Sequence, residues 1–380
     1  MYLKNLQEEY DMVDGFMNEV KSTLFHAGAN DEVKDEVLVD VDGILDEEEE
    51  AIEEKRSIYE LLEEDIMGSD MSLSEKNERL SRLIKMREKK VNIMLVGSTG
   101  SGKSSTINAL FNMQVAKVGV GVDPETNDIT SYTLENLTIW DTPGLGDGIE
   151  NDRAYNELIT GKLSELDASG APLIDLVLVV LDASTKDLGT SYDLINNVII
   201  PCLGDDKVGR ILVGLNQADV AMKGKHWDVE KNVPDEILTE YLKKKVVSVQ
   251  QRIFEGTGLS VRPVYYCAGY KEEGGEQCKP YNLTKLLYYI IKSIPKDKRL
   301  AFADHINADK DMWLYDDEEE DYKGKVKKGF LESIGDCMEE GAETGAEIGG
   351  RVLGVPGKAI GFVIGGAVGV IKGFFEGIFG

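Results

Sequence analysis

The chain has 380 residues, of which 42% are hydrophobic and 29% are charged, and its formal net charge at pH 7 is −28. This length predicts two or three domains, and the hydrophobic content is enough for a sizeable core. The acidic excess argues against nucleic acid as a partner, and against an anionic lipid surface held by bulk charge.

The cysteines and the N-terminus bear on the cellular compartment. Four cysteines are scattered with no CxxC pair, and the N-terminal sequence MYLKNLQEEYD lacks the apolar core of a signal peptide. Such cysteines are typical of free thiols in a reducing compartment. We therefore expect a cytoplasmic protein, with peripheral membrane attachment as an alternative that the C-terminal tail raises.

Three segments differ in residue pattern. Residues 1–90 are acidic and place apolar residues at three- and four-residue spacings, which predicts amphipathic helices, one of them capped near Ser72 or Ser74. Residues 91–295 alternate short β-branched runs with helical stretches, a pattern typical of parallel strands joined by helical crossovers. Residues 296–380 return to a helical pattern. We expect an α/β domain whose N- and C-terminal flanks pack together as one helical domain.

The stretch GSTGSGKSS, which follows a predicted strand and opens a predicted helix, fits the pattern G-x-x-x-x-G-K-[ST]. Glycines let the backbone fold around an anion with its N–H groups pointing inward, and the helix N-terminus adds partial positive charge. Lys103 is expected to bridge the β- and γ-phosphates, and the Ser104 hydroxyl to ligate Mg²⁺. The predicted phosphate-binding residues are Gly97, Ser98, Thr99, Gly100, Ser101, Gly102, Lys103, Ser104 and Ser105.

Two further motifs, WDTPGLG and LNQAD, each follow an apolar run. In the first, Asp141 is expected to hold Mg²⁺ through water, and the Gly144 N–H to meet the γ-phosphate and sense its loss. In the second, the Asp219 carboxylate can accept hydrogen bonds from the N1–H and N2–H₂ groups of guanine, a donor pair that adenine lacks. Together with Asn216 and Gln217, this motif predicts GTP and GDP as ligands.

With these motifs in place, residues 91–295 resemble a Ras-like GTPase domain of the Era-like, translation-factor-related branch. The likeness is to bacterial GTPases with GSTGSGKSS, DTPG and NQAD, and it extends to Trp227 and Asp228 after the last motif. The resemblance implies a six-stranded mixed sheet with one antiparallel edge, Mg²⁺ as cofactor, and hydrolysis of GTP to GDP and phosphate. It also implies that Cys267 and Ala268 form the family's fifth motif, with the Ala268 N–H contacting guanine O6.

The switch I threonine stays open between two residues. Thr126, in VDPETND, has a Pro-x-Thr setting that resembles the family, and it is the favoured Mg²⁺ ligand and the catalytic partner of Lys103 and Gly144. Thr130 is the alternative.

The chain departs from the family pattern at other positions. Gln217 stands where lysine is usual, which predicts weaker nucleotide affinity, and Leu145 stands where other GTPases have a catalytic glutamine. No lysine or arginine is marked as an arginine finger. Slow intrinsic turnover is expected, with the attacking water positioned by another group or by a partner.

The C-terminal tail carries glycines at four-residue spacing. Each interior helical glycine costs about 1 kcal/mol relative to alanine, so we expect close approach of a neighbouring helix to offset the cost. Pro356 interrupts the series and predicts a glycine-zipper hairpin with its turn there. The glycines are Gly341, Gly345 and Gly349, followed by Gly357, Gly361, Gly365, Gly369, Gly373 and Gly377.

The tail is compatible with three environments. Residues 341–380 either contact a membrane, or pack as a hairpin on the N-terminal helices, or form the seam of a GTP-dependent homo-oligomer. The uncharged stretch 359–371 has 13 residues, whereas a membrane span needs about 20. The acidic run 316–325, upstream of the tail, is expected to be a solvated hinge.

The leading hypothesis is a GTP-hydrolysing switch whose helical flanks respond to the nucleotide. A membrane-associated or self-assembling effector triggered by GTP is the alternative, and a nucleotide-binding scaffold with negligible turnover is the third. Ribosome or RNA association is not expected, because the chain lacks a basic module and its charge has the wrong sign.

Overall fold

The computed structural model describes residues 56–111, 129–144, 149–269, 278–338 and 361–380. The described residues from Ser57 onward belong to one compact unit.

A six-stranded mixed sheet forms the centre of this unit. The strand order is β2-β3-β1-β4-β5-β8; β2 is antiparallel to β3, and every other pair is parallel. The predicted sheet with one antiparallel edge is therefore confirmed. The strands are β1 Val91–Val96, β2 Thr130–Leu134, β3 Leu137–Asp141, β4 Leu176–Asp182, β5 Ile211–Asn216 and β8 Val264–Tyr265, and a separate hairpin pairs β6 Trp227–Asp228 with β7 Val233–Pro234.

Helices cover both faces of the sheet. Their bounds are α1 Ile58–Gly68, α2 Leu73–Arg87, α3 Lys103–Phe111, α4 Ile149–Leu163, α5 Gly189–Leu194, α6 Ile200–Cys202, α7 Glu236–Thr257, α8 Leu283–Ser293, α9 Leu300–Ala303, α10 Tyr322–Met338 and α11 Gly361–Phe379. A π-helical turn, Ile195–Ile199, joins α5 to α6, and single 3₁₀ turns lie at Ala221–Gly224, Lys296–Lys298 and Lys310–Trp313.

The central strand β1 shows how the two faces are divided. Its side chains alternate, because successive residues of a strand point to opposite faces. Ile93 and Leu95 join a cluster with α1, α2, α3 and α8 to α11, whereas Met94 and Val96 join a cluster with α4, α5 and α7. Burial on both sides explains the unbroken apolar run VNIMLV, which is typical of an interior parallel strand.

The N-terminal helices are fixed at their first turns. Ser57 caps α1 and Ser72 caps α2, each as part of a capping box, so the cap predicted near Ser72 is confirmed. Asp304 adds a long-range anchor, since it accepts from the Ser57 hydroxyl and the Ile58 N–H, both at 2.6 Å. The helical flanks are thus confirmed, and they share their core with one face of the sheet rather than building a core of their own.

The last helix, α11, packs on α1 and α10. Among residues 368–379 of this helix, the buried ones are Ile371, Phe374, Phe375, Ile378 and Phe379. Phe375 stacks on Phe330 of α10 with ring centroids 4.9 Å apart, and Phe379 meets Trp313 at 5.6 Å. Of the three environments considered for the tail, the described part therefore adopts packing on the N-terminal helices. None of the described helices combines the length and apolar character that crossing a bilayer requires.

The glycines of α11 do not behave as expected. Gly369, Gly373 and Gly377 lie on the exposed side, and a Cβ added at any of them would meet no atom within 4 Å. The predicted close backbone approach is wrong for these three glycines, because the neighbouring aromatic residues supply the buried stripe. Pro356 and the glycines from 341 to 357 lie outside the described residues.

The acidic run also differs from the prediction. The Asp317 carboxylate is largely buried and is bonded by the Lys285 ammonium and by the Tyr265 hydroxyl at 3.1 Å. Glu319 pairs with Lys243 at 2.7 Å and with Lys285 at 3.0 Å. The solvated-hinge prediction is wrong for these carboxylates, since a lysine with only 6% of its side chain exposed requires a counter-charge.

Candidate functional site

The predicted phosphate-binding loop lies between the end of β1 and the start of α3. Gly100 and Gly102 have φ values of 75° and 89°, which favour glycine. A Cβ on Gly97 would lie 2.2 Å from the Val180 carbonyl oxygen, and one on Gly102 would lie 2.2 Å from Asn216 Nδ2. The loop therefore needs glycine because of its backbone conformation, and because β4 and β5 lie too close to leave room for a side chain.

Lys103 places a cation inside this loop. Its Nζ donates to the Gly97 and Ser98 carbonyl oxygens at 3.1 and 3.3 Å, and the residue is only 9% exposed. Ser101 Oγ is buried in the same loop without a hydrogen-bond partner among the described residues. A buried ammonium and an unsatisfied hydroxyl at a helix N-terminus form a cradle suited to an anion.

Ser104 and Asp141 meet at the edge of the loop. Ser104 Oγ donates to Asp141 Oδ2 at 3.2 Å, and Asp141 Oδ1 is buried without a hydrogen-bond partner among the described residues. Burial raises the pKa of Asp141, and the nearby Lys103 charge partly opposes the shift. The hydroxyl and the orphaned carboxylate oxygen fit Mg²⁺, which takes one or two such ligands and completes its shell with phosphate and water.

The DTPG loop rests directly on the phosphate-binding loop. A Cβ on Gly144 would lie 2.0 Å from Thr99 Oγ1, so the two backbones touch there. Thr130 is the first residue of β2 and pairs with Asp141 across the sheet. Thr126 and Leu145 lie outside the described residues, so the choice of switch I threonine stays a prediction.

The predicted base-binding residues converge through Asn216. Its Nδ2 donates to the Ser101 carbonyl at 3.0 Å, and its Oδ1 accepts from the Ala268 N–H at 3.0 Å. Gln217 adds a second link, from Nε2 to the Gly100 carbonyl at 2.6 Å. The structure thus ties the NQAD motif to the phosphate-binding loop and to the loop that carries Ala268. The Ala268 N–H, which the resemblance assigns to guanine O6, is bonded to Asn216.

Asp219 and Cys267 form a hydrogen-bonded pair at this end of the site. Burial, and after it the Asp219 carboxylate, raise the pKa of the Cys267 thiol. The thiol is therefore protonated and donates to Asp219. The carboxylate in this contact is the one that the sequence analysis assigns to guanine.

Two tyrosines that no motif marked also belong to the site. The Tyr266 hydroxyl lies 2.7 Å from Thr106 Oγ1, which ties the residue that follows β8 to α3. Tyr155 of α4 lies 3.0 Å from Thr142 Oγ1, within the DTPG loop. Tyr266 is 160 residues from Thr106 and Tyr155 is 13 residues from Thr142, and neither tyrosine belongs to a motif that marks its contact.

Comparisons with known proteins cover part of the chain. Residues 92–213 match the model of a family described as 50S ribosome-binding GTPase. Human septin-12 is 41% identical over 80 residues, covering 18% of this chain and 22% of the septin. The uncharacterized protein YfjP of Escherichia coli K12 is 32% identical over 133 residues, covering 34% of this chain and 42% of YfjP. The chain thus spans less than half the length of these curated relatives.

Among solved structures, Toc33 of Arabidopsis thaliana with Mg²⁺ and GMPPNP matches with a TM-score of 0.39 and 18% identity, covering 60% of this chain and 95% of Toc33. Era of Aquifex aeolicus bound to GDP and AlF₄⁻ matches at 0.35 and 19%, covering 55% and 57%. These likenesses are too distant to support an argument. The family match and the geometry of the loop identify residues 92–213 as a P-loop GTPase domain of the α/β class.

Proposed function

We propose that the protein binds GTP with Mg²⁺, hydrolyses it to GDP and phosphate, and acts as a nucleotide switch. One observation carries the proposal: three motifs that are remote in sequence meet at the carboxyl edge of the sheet. Lys103 lies in the loop, Ser104 contacts Asp141 beside it, and Asn216 links Ser101 to Ala268. A ligand that used all three groups would carry phosphates at one end and a base at the other.

Each residue then has a defined role. Lys103 neutralises the β- and γ-phosphates, and the loop N–H groups bind their oxygens. Ser104 and Asp141 hold the metal ion, with Thr126 or its alternative Thr130 as a further ligand. When bound, Mg²⁺ supplies positive charge against the phosphate oxygens. The Gly144 N–H meets the γ-phosphate, and with Leu145 in place of glutamine, intrinsic turnover is slow.

Base selection rests on Asp219. The Asp219 carboxylate, which is hydrogen-bonded to the Cys267 thiol, would accept from the N1–H and N2–H₂ groups of guanine. Gln217 links to Gly100 through an amide but offers no charge over the base, so affinity is lower than with lysine there. The family match ends at residue 213, before this motif, so guanine selectivity is part of the proposal.

The domain boundaries and the branch of GTPases to which the domain belongs are also part of the proposal. We take residues 91–295 as the GTPase domain, with 1–90 and 296–380 as helical flanks, and place the domain in the Era-like branch on its three motifs. The flanks respond to the nucleotide because α3, which begins at Lys103, shares a hydrophobic cluster with them. We place the protein in the cytoplasm.

Calorimetry with the full chain tests the proposal. Wild type is expected to bind GTP far more tightly than ATP and to release phosphate in the presence of Mg²⁺, whereas Lys103→Ala loses both activities. Asp219→Asn is the sharper variant, because asparagine presents one acceptor and one donor, which match xanthine rather than guanine. A shift of preference from GTP to xanthosine triphosphate supports the assignment; equal binding of GTP and ATP by wild type contradicts it.

A second candidate function is a self-assembling or membrane-associated effector triggered by GTP. The exposed glycines Gly369, Gly373 and Gly377 favour it. Glycine lowers helix stability, and no atom of the described residues lies close enough to these positions to require it. Nucleotide-dependent sizing and liposome flotation of wild type and Gly373→Leu test it. Assembly or flotation that wild type shows and the variant loses supports this function, and identical behaviour of the two removes it.

A further inference from the structure

Tyr155 stands in the middle of α4 with its ring buried and its hydroxyl at the phosphate edge. The residue is 3% exposed, and its ring belongs to the cluster that also holds Met94 and Val96. Its oxygen lies 3.0 Å from Thr142 Oγ1 and 3.5 Å from the backbone nitrogen of Gly97. One hydroxyl therefore reaches both the DTPG loop and the first residue of the phosphate-binding loop.

The direction of these hydrogen bonds follows from the number of protons. The Thr142 hydroxyl donates to the Leu95 carbonyl at 2.8 Å. A hydroxyl has one proton, so Thr142 can only accept from Tyr155. The Gly97 N–H in turn donates to the Tyr155 oxygen. The result is a directed chain of hydrogen bonds from Gly97 through Tyr155 and Thr142 to Leu95, and it ties α4 to the DTPG loop and to the start of the phosphate-binding loop.

The position of these linked hydrogen bonds gives them a functional consequence. The Thr142 N–H also bonds the Asp141 carboxylate, and Gly144, two residues later, rests on Thr99. Tyr155 thus helps to hold the DTPG loop against the phosphate-binding loop. In the proposed function the Gly144 N–H meets the γ-phosphate from that position, whereas GDP has no group there.

We propose that Tyr155 is a positioning residue that favours the GTP-bound arrangement and transmits it to α4. The inference rests on the proposed function. A contact that stabilises one nucleotide state changes the relative affinity for the two nucleotides by its own free energy. One net hydrogen bond corresponds to about a fivefold to tenfold change in an equilibrium constant.

The experiment compares wild type, Tyr155→Phe and Tyr192→Phe as full chains. Tyr192 of α5 is a matched control, because its ring packs on the same cluster while its face meets Arg252. Dissociation constants are measured with Mg²⁺ for GDP and for a non-hydrolysable GTP analogue. Tyr155→Phe is expected to weaken the analogue about fivefold to tenfold and to leave GDP within about twofold, because GDP makes no use of the Gly144 position. Tyr192→Phe leaves the ratio unchanged.

A purely structural role for the hydroxyl would weaken both nucleotides together, so an unchanged ratio in Tyr155→Phe overturns the inference. If wild type binds no guanine nucleotide, the proposed function fails instead, so the two failures are distinguishable. Thr142→Val supplies a second variant should Tyr155→Phe not fold, because it removes the acceptor and keeps the ring. Thr142→Val is expected to lower the affinity for the GTP analogue relative to GDP, as Tyr155→Phe does. Combining both changes should add little to either change alone. An unchanged ratio of the two affinities in Thr142→Val overturns the inference as well.

Discussion

Two sets of glycines in this molecule have opposite surroundings. In the phosphate-binding loop, a Cβ on Gly97 or Gly102 would collide with Val180 or Asn216. On α11, a Cβ on Gly369 or Gly373 would meet nothing. A series of glycines therefore looks the same in the sequence whether or not neighbouring atoms leave room for a side chain. The loop glycines allow a close approach of backbone and neighbouring strands at the proposed ligand site, whereas the α11 glycines lie on an open helix face.

Truncating the aromatic side of α11 is expected to have the largest effect. Phe375 is fully buried and stacks on Phe330, so Phe375→Ala should lower the free energy of unfolding by about 3–5 kcal/mol. Chemical denaturation of the full chain measures this. Glu376→Ala is the control on the exposed side of the same turn, and it should change stability by less than about 0.5 kcal/mol. Equal effects would show that α11 does not pack as described.

Gly97→Ala tests the loop side of the comparison. The new methyl group would lie 2.2 Å from a backbone oxygen, which cannot rotate away. The strain is expected to cost about 1–3 kcal/mol and to weaken GTP binding by at least about tenfold. Thermal unfolding and nucleotide titration report the two quantities separately. Wild-type affinity in this variant would mean that the loop is not the binding cradle.

The edge of the phosphate-binding loop carries a buried carboxylate, Asp141. Burial raises the pKa of Asp141, so this group takes up a proton at a higher pH than an exposed carboxylate does. Mg²⁺ needs the ionised form, and its affinity should fall by about tenfold for each pH unit below that raised pKa. Protonation also relieves the cost of burying the charge, so folding stability does not fall with it.

A Mg²⁺ titration of the nucleotide-bound protein over a series of decreasing pH values checks this expectation. Asp141→Asn is the control, because residue 141 then cannot ionise, and its weaker affinity should follow only the protonation of the nucleotide phosphate. A wild-type profile no steeper than that of Asp141→Asn would exclude Asp141 from the metal site.

The smallest expected effect is a gain in folding stability. Gly373→Ala puts a methyl group into open space and removes a flexible residue from a helix, so stability should rise by about 0.5–1 kcal/mol. Gly102→Ala is the opposite case, since its Cβ would meet Asn216 Nδ2 at 2.2 Å. Denaturation curves of both variants sharpen the comparison: a loss at Gly373 would indicate a partner on that face.

The sequence predicted the sheet and its flanks well, because strand and helix periodicities are local. It also predicted which loops carry Lys103, Asp141 and Asn216, since motif spacing and a preceding strand mark each one. The contacts between those loops were not predictable. Asn216 bonds Ser101 across 115 residues, and Tyr155 reaches Gly97 across 58. No local pattern encodes such distances, which arise from the strand order.

The two wrong predictions have the same origin. The acidic run looked solvated because its partner Lys285 lies 32 residues upstream of Asp317. The tail glycines looked like a packing surface because α11 carries two stripes, one of glycine and one of aromatic residues, and periodicity does not say which stripe is buried.

The amino-acid sequence by itself predicted the elements and the glycine-rich loop, and it is the basis for proposing which residues would meet phosphate, a metal ion and a purine. Only the tertiary structure decided that Ser104 faces Asp141, that Asn216 joins the loops, and which side of α11 is buried. The reason is physical. Backbone conformation and hydrophobic period act over a few residues, whereas side-chain contacts depend on how parallel strands and their covering helices assemble.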